Sequence, residues 1–288
     1  MTDHDGMTQR DLGCVVVHHR STDTLVRTVA SLVAAGVAPD HLLVVDNSED
    51  GSIETVRDQL AGVQLLLTAN DGYGAAVDAG VAWLSRERVG LTSILVATHE
   101  VVVEPGTVAE LVRGLAEPGV AAIGPVLWES EAPDARIWSA GGVLAGRGLV
   151  ARHRRAPDRP EEPFATVDWL DGSLVLYRRA LLESFGFDPT YVLYLEEVDL
   201  HLRLRQAGWQ IRVSNRSRAV QTTQGMPAYW AMRNRLYFSR KFALGAAGWI
   251  GTARVLLQVG RRAVRTRNTA GLWDVRRGLS DGFRLTRR

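Results

Sequence analysis

The chain is predicted to be α/β, with a mostly parallel, Rossmann-like sheet flanked by helices. Two observations carry this. Short β-branched strands of about five residues alternate with helical patterns of about ten over residues 12–118. Every strand in that half also runs into a polar or glycine-rich exit, where ligands gather in open parallel sheets.

The elements follow in order. Leu12–Val17 is a continuous apolar run and reads as a buried strand, with Cys14 in the core. Thr22–Ala35 carries Leu25, Val29, Leu32 and Val33 at helical spacing and is closed by Gly36. A second strand, His41–Asp46, is followed by a polar turn and a helix marked by Ile53, Val56 and Leu60. Val63–Leu67 is the third strand, leading through Asn70–Gly74 into a small-residue helix that reaches Leu84; Ser93–Ala97 is the fourth. After Pro118 the pattern changes. Val120–Val126, Gly141–Val150 and Trp169–Tyr177 read as strands, the last interrupted by Asp171-Gly172-Ser173, and 156–163 is a Pro- and charge-rich loop. A helix follows the acids Glu196, Glu197 and Asp199, then strand segments at 210–213 and 219–221. Two long helical patterns, 227–242 and about 248–265, finish the chain. The expected division is a flexible N-terminus over 1–11, an alternating strand–helix half over 12–118, a second half of changed pattern over 119–226, and a basic helical extension over 227–288.

Composition narrows the class. One cysteine excludes an intramolecular disulfide and fits a reducing cytoplasm. The first residues lack the order of a signal peptide, and no apolar run reaches the ~18 residues of a membrane span. The formal charge of +2 conceals an asymmetry: from His201 onward only Asp274 and Asp281 oppose nineteen Arg or Lys. Such a tail suits an anionic partner, or is a solvated arginine-rich face. In the second terminal helix Trp249, Ile250, Ala253, Leu256 and Leu257 share one face, with Arg254, Arg261, Arg262 and Arg265 largely elsewhere. A basic amphipathic helix of this kind can lie in an anionic membrane interface. No nucleic-acid motif accompanies the basic tail.

Candidate chemistry concentrates at the strand exits. Asp46 could accept hydrogen bonds from a nucleobase imide or ribose hydroxyls, or could simply form a turn. Asn70-x-Gly72-x-Gly74 could let backbone approach a ligand closely, but it is neither a Walker loop nor a dinucleotide fingerprint. Glu197 and Asp199 fall in a first helical turn, where the helix dipole favours negative charge.

An ordered set of segments resembles the family-2 inverting glycosyltransferases of GT-A fold, close to the rhamnosyltransferase-like branch. The segments are Val44–Ser52, Asn70–Gly80, Val101–Pro105, Leu170–Arg179, Phe187–Pro189, Tyr194–Leu204, Ala207–Trp209 and Arg233–Arg235, spread over about 12–242. The resemblance implies a nucleotide-diphosphate sugar donor (dTDP-, UDP- or GDP-linked) and a hydroxyl-bearing acceptor on a glycan, lipid carrier or natural product. It implies inversion with Glu197 as general base, in the place of a more usual Asp. Asp199 would brace the helix start or a nearby arginine, and Asp171 is the next candidate base. Donor binding is expected of His18, Asp46, Asn47, Asn70, Gly72, Gly74, Asp78, Thr98, His99, Gly172 and Arg233. His99, Arg233 and Arg235 are the candidates to neutralise the leaving diphosphate.

Two departures matter. Thr98-His99-Glu100 stands where the resemblance implies an acidic motif for Mg2+ or Mn2+, and Gln221 where it implies a histidine. Glu100 is the one candidate ligand, and the replacement predicts weak or absent metal dependence. The competing readings are a sugar-nucleotide-binding protein without turnover and, less supported, a nucleic-acid binder. The expected location is cytoplasmic, peripheral on the inner face of the membrane.

Overall fold

The computed structural model describes residues 8–222, 225–266 and 270–285. Residues 9–11 form a 3-10 turn capped by Thr8, while 1–7 of the expected flexible terminus lie outside the described residues. β1 (Leu12–His18), β2 (Leu42–Asp46), β3 (Gln64–Leu67) and β4 (Ser93–Thr98) then form the parallel half of one sheet, in the order β4-β1-β2-β3. Their crossovers are α1 (Thr22–Ala34), a 3-10 segment at Ser52–Leu60 and α2 (Tyr73–Glu87). The expected helix at 53–60 is therefore 3-10, yet Ile53, Val56 and Leu60 still face the core.

The sheet continues through β5 (Val101–Val103), α3 (Thr107–Leu115), β6 (Val120–Trp128), β7 (Ile137–Ser139), β10 (Phe164–Val167) and β11 (Leu174–Arg178), then α4 (Arg179–Phe185), α5 (Glu196–Gln206) and β12 (Gln210–Gln221). β11 inserts antiparallel between β4 and β6, so the full path runs β10-β12-β6-β11-β4-β1-β2-β3. β8 (Gly142–Ala145) and β9 (Val150–His153) form a separate hairpin where one strand is expected. Residues 171–173 make the turn entering β11, because Asp171 folds onto Ser173, and β12 is one bulged strand rather than two.

Two apolar layers cover the faces of the sheet. Leu25, Leu32, Leu111 and Leu115 lie in one, Val77, Leu84, Leu182 and Leu200 in the other. Cys14 is fully buried, and burial pushes its thiol pKa up, which leaves it a core residue. Three helices end the chain: α6 (Ala228–Lys241), α7 (Gly245–Thr266) and α8 (Ala270–Leu285). α8 is not apparent from apolar spacing because glycines build its contact with α6. A Cβ on Gly278 would stand 2.3 Å from the Tyr229 carbonyl oxygen, and one on Gly282 2.9 Å from that of Arg233.

Candidate active site

A cleft of about 750 Å3 opens across the carboxyl ends of β1, β2 and β4. It runs from His19, Asn47 and Asn70, past Glu100 and Glu197, to an apolar end built by Trp230, Phe238, Val255 and Val259. Depth, polar groups at one end and apolar walls at the other suit a mixed polar–apolar ligand pair.

At the strand-exit end of the cleft His18 and Asp46 are both buried and joined by an Nδ1–Oδ1 contact of 2.8 Å. The same Asp46 oxygen accepts Ser48 Oγ at 2.5 Å and Ser48 N at 3.1 Å. His18 therefore does not line the cleft as the sequence suggests; its short reach from the sheet centre leaves it bracing Asp46. Asp46 adjoins Asn47, which does line the cleft and donates to Asn70 Oδ1 at 3.4 Å. Gly74 also serves packing, because a Cβ there would stand 2.6 Å from Phe187 Cβ. Asp78 is turned away from the cleft: it accepts the Phe187 N–H at 3.0 Å and ties α2 to the loop before α5. Burial raises its pKa to about 6, offset in part by that N–H and by Arg203.

The exit of β4 places Thr98, His99 and Glu100 in the cleft beside Gln221, whose strand pairs Gln221 with Val101. His99 Nδ1 lies 3.1 Å from the Val17 carbonyl oxygen, and burial lowers its pKa to about 4. That burial disfavours the cationic role the sequence suggests for His99. Arg233 is likewise committed: its Nη1 donates to Tyr191 O at 3.1 Å and to Asn234 Oδ1 at 2.6 Å. Arg235 lines the cleft but donates to Leu149 O at 3.0 Å and to Gly148 O, and burial lowers its pKa to about 10.

Among the described residues no group of three or more His, Cys, Asp or Glu side chains is gathered for a metal. Thr98 Oγ1 and Gln221 Oε1 are nevertheless buried without a protein partner, next to Glu100 in the same cleft wall. One carboxylate with two neutral oxygens fits a hard cation that takes its remaining ligands from phosphate and water.

The acid-bearing segment sits opposite. Val192, Tyr194 and Leu195 all have positive φ, and they lead into α5 at Glu196. Gly72 permits the turn: Tyr73 N–H donates to Val192 O at 2.8 Å, and a Cβ on Gly72 would stand 2.2 Å from that oxygen. The Tyr73 hydroxyl donates to Gly172 O at 2.7 Å, which aligns the turn carrying Asp171. Asp171 takes Trp138 Nε1 at 3.0 Å and Ser173 N at 3.0 Å. Glu196, Glu197 and Asp171 all line the cleft.

The helix start alone would favour ionised acids here, but burial acts the other way and wins. Desolvation raises the pKa of both Glu196 and Glu197, and Glu197 is raised further by Glu196 and Asp171. Asp199 is outside the cleft lining and braces an arginine. It is fully buried and held by Arg203 Nε at 2.6 Å, Lys241 Nζ at 2.7 Å and the Tyr191 hydroxyl at 3.1 Å. Sequence reasoning missed Tyr73, Gln221 as an unpartnered cleft acceptor, and Asn234. Asn234 stands between the two arginines of a segment already singled out, so the signal was present but assigned to the charges.

Fold and cleft define a GT-A-type α/β architecture with carboxylates facing the strand exits. Residues 10–243 match the family described as glycosyltransferase like family 2. The chain is 32% identical over 223 residues to N-acetylglucosaminyl-diphospho-decaprenol L-rhamnosyltransferase of Mycobacterium tuberculosis, covering 69% of this chain and 71% of that protein. It is 26% identical to galactofuranosyltransferase GlfT1 of Mycolicibacterium smegmatis, over 70% of this chain and 68% of that one. Among solved structures, the fold is similar to that of GalNAc-T7 with UDP, GalNAc and Mn2+, at TM-score 0.60 and 14% identity, covering 85% of this chain and 52% of that one. It is also similar to the mannosyltransferase PcManGT from Pyrobaculum calidifontis in complex with GDP-Man and Mn2+, at TM-score 0.56 and 14% identity, covering 96% and 86%. The chain belongs to glycosyltransferase family 2.

Proposed function

We propose that the chain transfers a sugar from a nucleotide-diphosphate sugar to an acceptor hydroxyl with inversion, with Glu197 as general base. The observation that carries this is the placement of Glu197, at the start of α5, in the cleft that opens on the strand exits. The acceptor oxygen attacks the anomeric carbon, its proton passes to the Glu197 carboxylate, and the bond from that carbon to the diphosphate oxygen breaks on the opposite face. Asp171, fixed by Trp138 and Ser173, lies near enough to influence Glu197 and would orient an acceptor hydroxyl. The test is turnover of dTDP-, UDP- and GDP-sugars with a lipid-diphosphate-linked sugar acceptor, with the anomer of the product read by NMR. Nucleotide binding without any turnover would leave a sugar-nucleotide-binding protein, and a retained anomer would remove the inverting reading.

Asn47 and Asn70 would contact the nucleoside, with Asp46 and Ser48 fixing the Asn47 turn from behind. Asp46→Ala is expected to weaken nucleotide binding by at least about tenfold while the protein stays folded, since it removes one buried network worth about 1–3 kcal/mol. Calorimetric titration with nucleoside diphosphates checks this, and unchanged affinity would take the turn out of the site.

Charge balance bears on the metal. Glu100, Asp171, Glu196 and Glu197 line the cleft, and Arg235, already committed to two carbonyls, is the one described Arg or Lys among the lining residues. A diphosphate entering a cleft whose one described Arg or Lys is already committed requires positive charge from elsewhere. The motif alone predicts weak metal dependence; the charge balance favours Mg2+ or Mn2+ arriving with the nucleotide, held on the protein side by Glu100 with Thr98 Oγ1 and Gln221 Oε1. Such an ion would neutralise the leaving diphosphate. Mg2+ is expected to tighten nucleoside-diphosphate binding at least about tenfold, and Glu100→Gln to abolish that difference. Equal affinity with Mg2+ and with chelator would restore the metal-independent reading.

The acceptor side points to a lipid-linked sugar at a membrane surface. No helix among the described residues is long and apolar enough to cross a membrane. α7 nevertheless exposes Trp249 (56%) and Leu257 (61%) together with Ile250 and Leu256, and its Val255 and Val259 line the apolar end of the cleft. Arg254 and Arg261 are exposed on the same helix; the side chains of Arg262 and Arg265 lie outside the described residues. This arrangement suits peripheral binding to anionic lipid. The protein is expected to sediment with phosphatidylglycerol vesicles at low salt and to lose this on Trp249→Asp with Leu257→Asp. No sedimentation at low salt would remove the membrane contact.

A further inference from the structure

The structure assigns Asn234 as the positioning residue for the catalytic acid segment; the assignment rests on Glu197 being the base. Asn234 is fully buried on α6. Its Nδ2 lies 3.1 Å from Tyr191 O, 2.8 Å from Leu193 O and 2.8 Å from Tyr194 O. Three carbonyls around one end of the amide can be met only by its NH2 group, so the orientation is fixed by chemistry. The other end, Oδ1, accepts Arg233 Nη1 at 2.6 Å.

What this amide holds is an unfavourable piece of backbone. Val192, Tyr194 and Leu195 have φ of 63°, 69° and 71°. L side chains disfavour that region, most of all a β-branched one, and such residues persist only where their surroundings over-determine them. The hydrogen bonds that over-determine them are those from Asn234 and the Tyr73 N–H donated to Val192 O at 2.8 Å. Leu195 is the N-cap of α5, so its conformation sets where the first turn, and with it Glu197, enters the cleft. Asn234 touches no lining acid itself; it acts through the backbone of 191–195. The neighbouring Arg235 performs a parallel task on the opposite wall, through Leu149 O and Gly148 O of the β8–β9 hairpin.

A purely structural asparagine would lower stability and leave the chemistry of the folded enzyme intact. A positioning asparagine loses its effect once the base is gone. Asn234→Asp keeps the size but replaces two donors by an acceptor facing three carbonyls, and Asn234→Ala removes the group. In the folded fraction, kcat is expected to fall at least about 100-fold in either variant, as small misplacements of reacting groups do, with nucleoside-diphosphate affinity within about threefold of the parent. The deciding measurement is the double-mutant cycle with Glu197→Gln, where adding Asn234→Ala should cost less than about threefold further. Equal losses in the parent and in the Glu197→Gln background, an unchanged kcat, or failure of both variants to fold would assign Asn234 to stability alone and overturn the proposal. Full activity of Glu197→Gln would instead overturn the reading of Glu197 on which it rests.

Discussion

Glu197→Gln should lower kcat by about 10²–10⁴-fold while leaving nucleotide affinity nearly unchanged. Gln keeps the shape and one acceptor oxygen but cannot take the acceptor proton, so the loss reports proton transfer rather than packing. The pH dependence gives a second readout with a fixed sign. Burial first, then the charges of Glu196 and Asp171, hold the Glu197 pKa above the ordinary carboxylate range. A base must be ionised, so activity is expected to rise with pH through a limb displaced above that range, and to be low where Glu197 is protonated. Removing a neighbouring charge should move the limb down: Glu196→Gln is expected to shift it to lower pH. Because these acids interact, the limb belongs to the group and not to one residue. The same shift acts on stability in the opposite sense. A carboxyl whose pKa is higher folded than unfolded favours the fold at low pH, and that contribution is lost as pH rises through the folded value. The enzyme would therefore be most active on the side where this cluster stabilises it least. Near-parental turnover of Glu197→Gln, with loss in Asp171→Asn, would move the base to Asp171.

The parallel half of the sheet was legible in the sequence because its inner strands are largely apolar, buried runs. Burial on both faces leaves no alternation to confuse with a surface strand, as the fully buried β1 and β2 show. The second half was harder for a physical reason. β8, β9 and β10 are each four residues long, so none leaves a periodic signature long enough to read. α8 was hidden because Gly278 and Gly282 replace the apolar residues that usually mark a buried face. At the site, the strand-exit loops and the acidic stretch were found by their residue types. What each acid does was only partly readable, since the resemblance and not the residue types separated Glu197 from Asp199. Asp199 and Glu197 are two residues apart, yet one is locked by Arg203 and Lys241 while the other faces the cleft. Asp78 and His18 were misassigned for the same reason: a polar residue near a strand exit can face the ligand or brace the wall, and only packing distinguishes them.

Gly72→Ala is expected to be the most damaging single-methyl change in the cleft. Two costs combine at this position. Its φ of +108° is a conformation that alanine adopts only with strain. The added Cβ would also stand 2.2 Å from Val192 O, 2.7 Å from Val192 Cα and 2.8 Å from Val192 C. All three are backbone atoms, so no rotamer change relieves the clash, and the segment that must move is the one pinned by Asn234 and by the Tyr73 N–H. Backbone strain and overpacking of this kind cost about 1–3 kcal/mol each, so a loss of about 2–6 kcal/mol is expected in chemical unfolding. Gly90→Ala separates the two contributions, since Gly90 has φ +94° but nothing within 4 Å of its new Cβ. That variant should show the strain alone, and the difference between the two measures the clash with Val192. In whatever fraction of Gly72→Ala folds, displacement of Val192 carries Leu195 and the start of α5 with it. Transfer should fall at least about 100-fold for a shift of about 1 Å at Glu197. Equal stability losses in the two glycine variants, with transfer retained, would show that the acid segment is not held against Gly72.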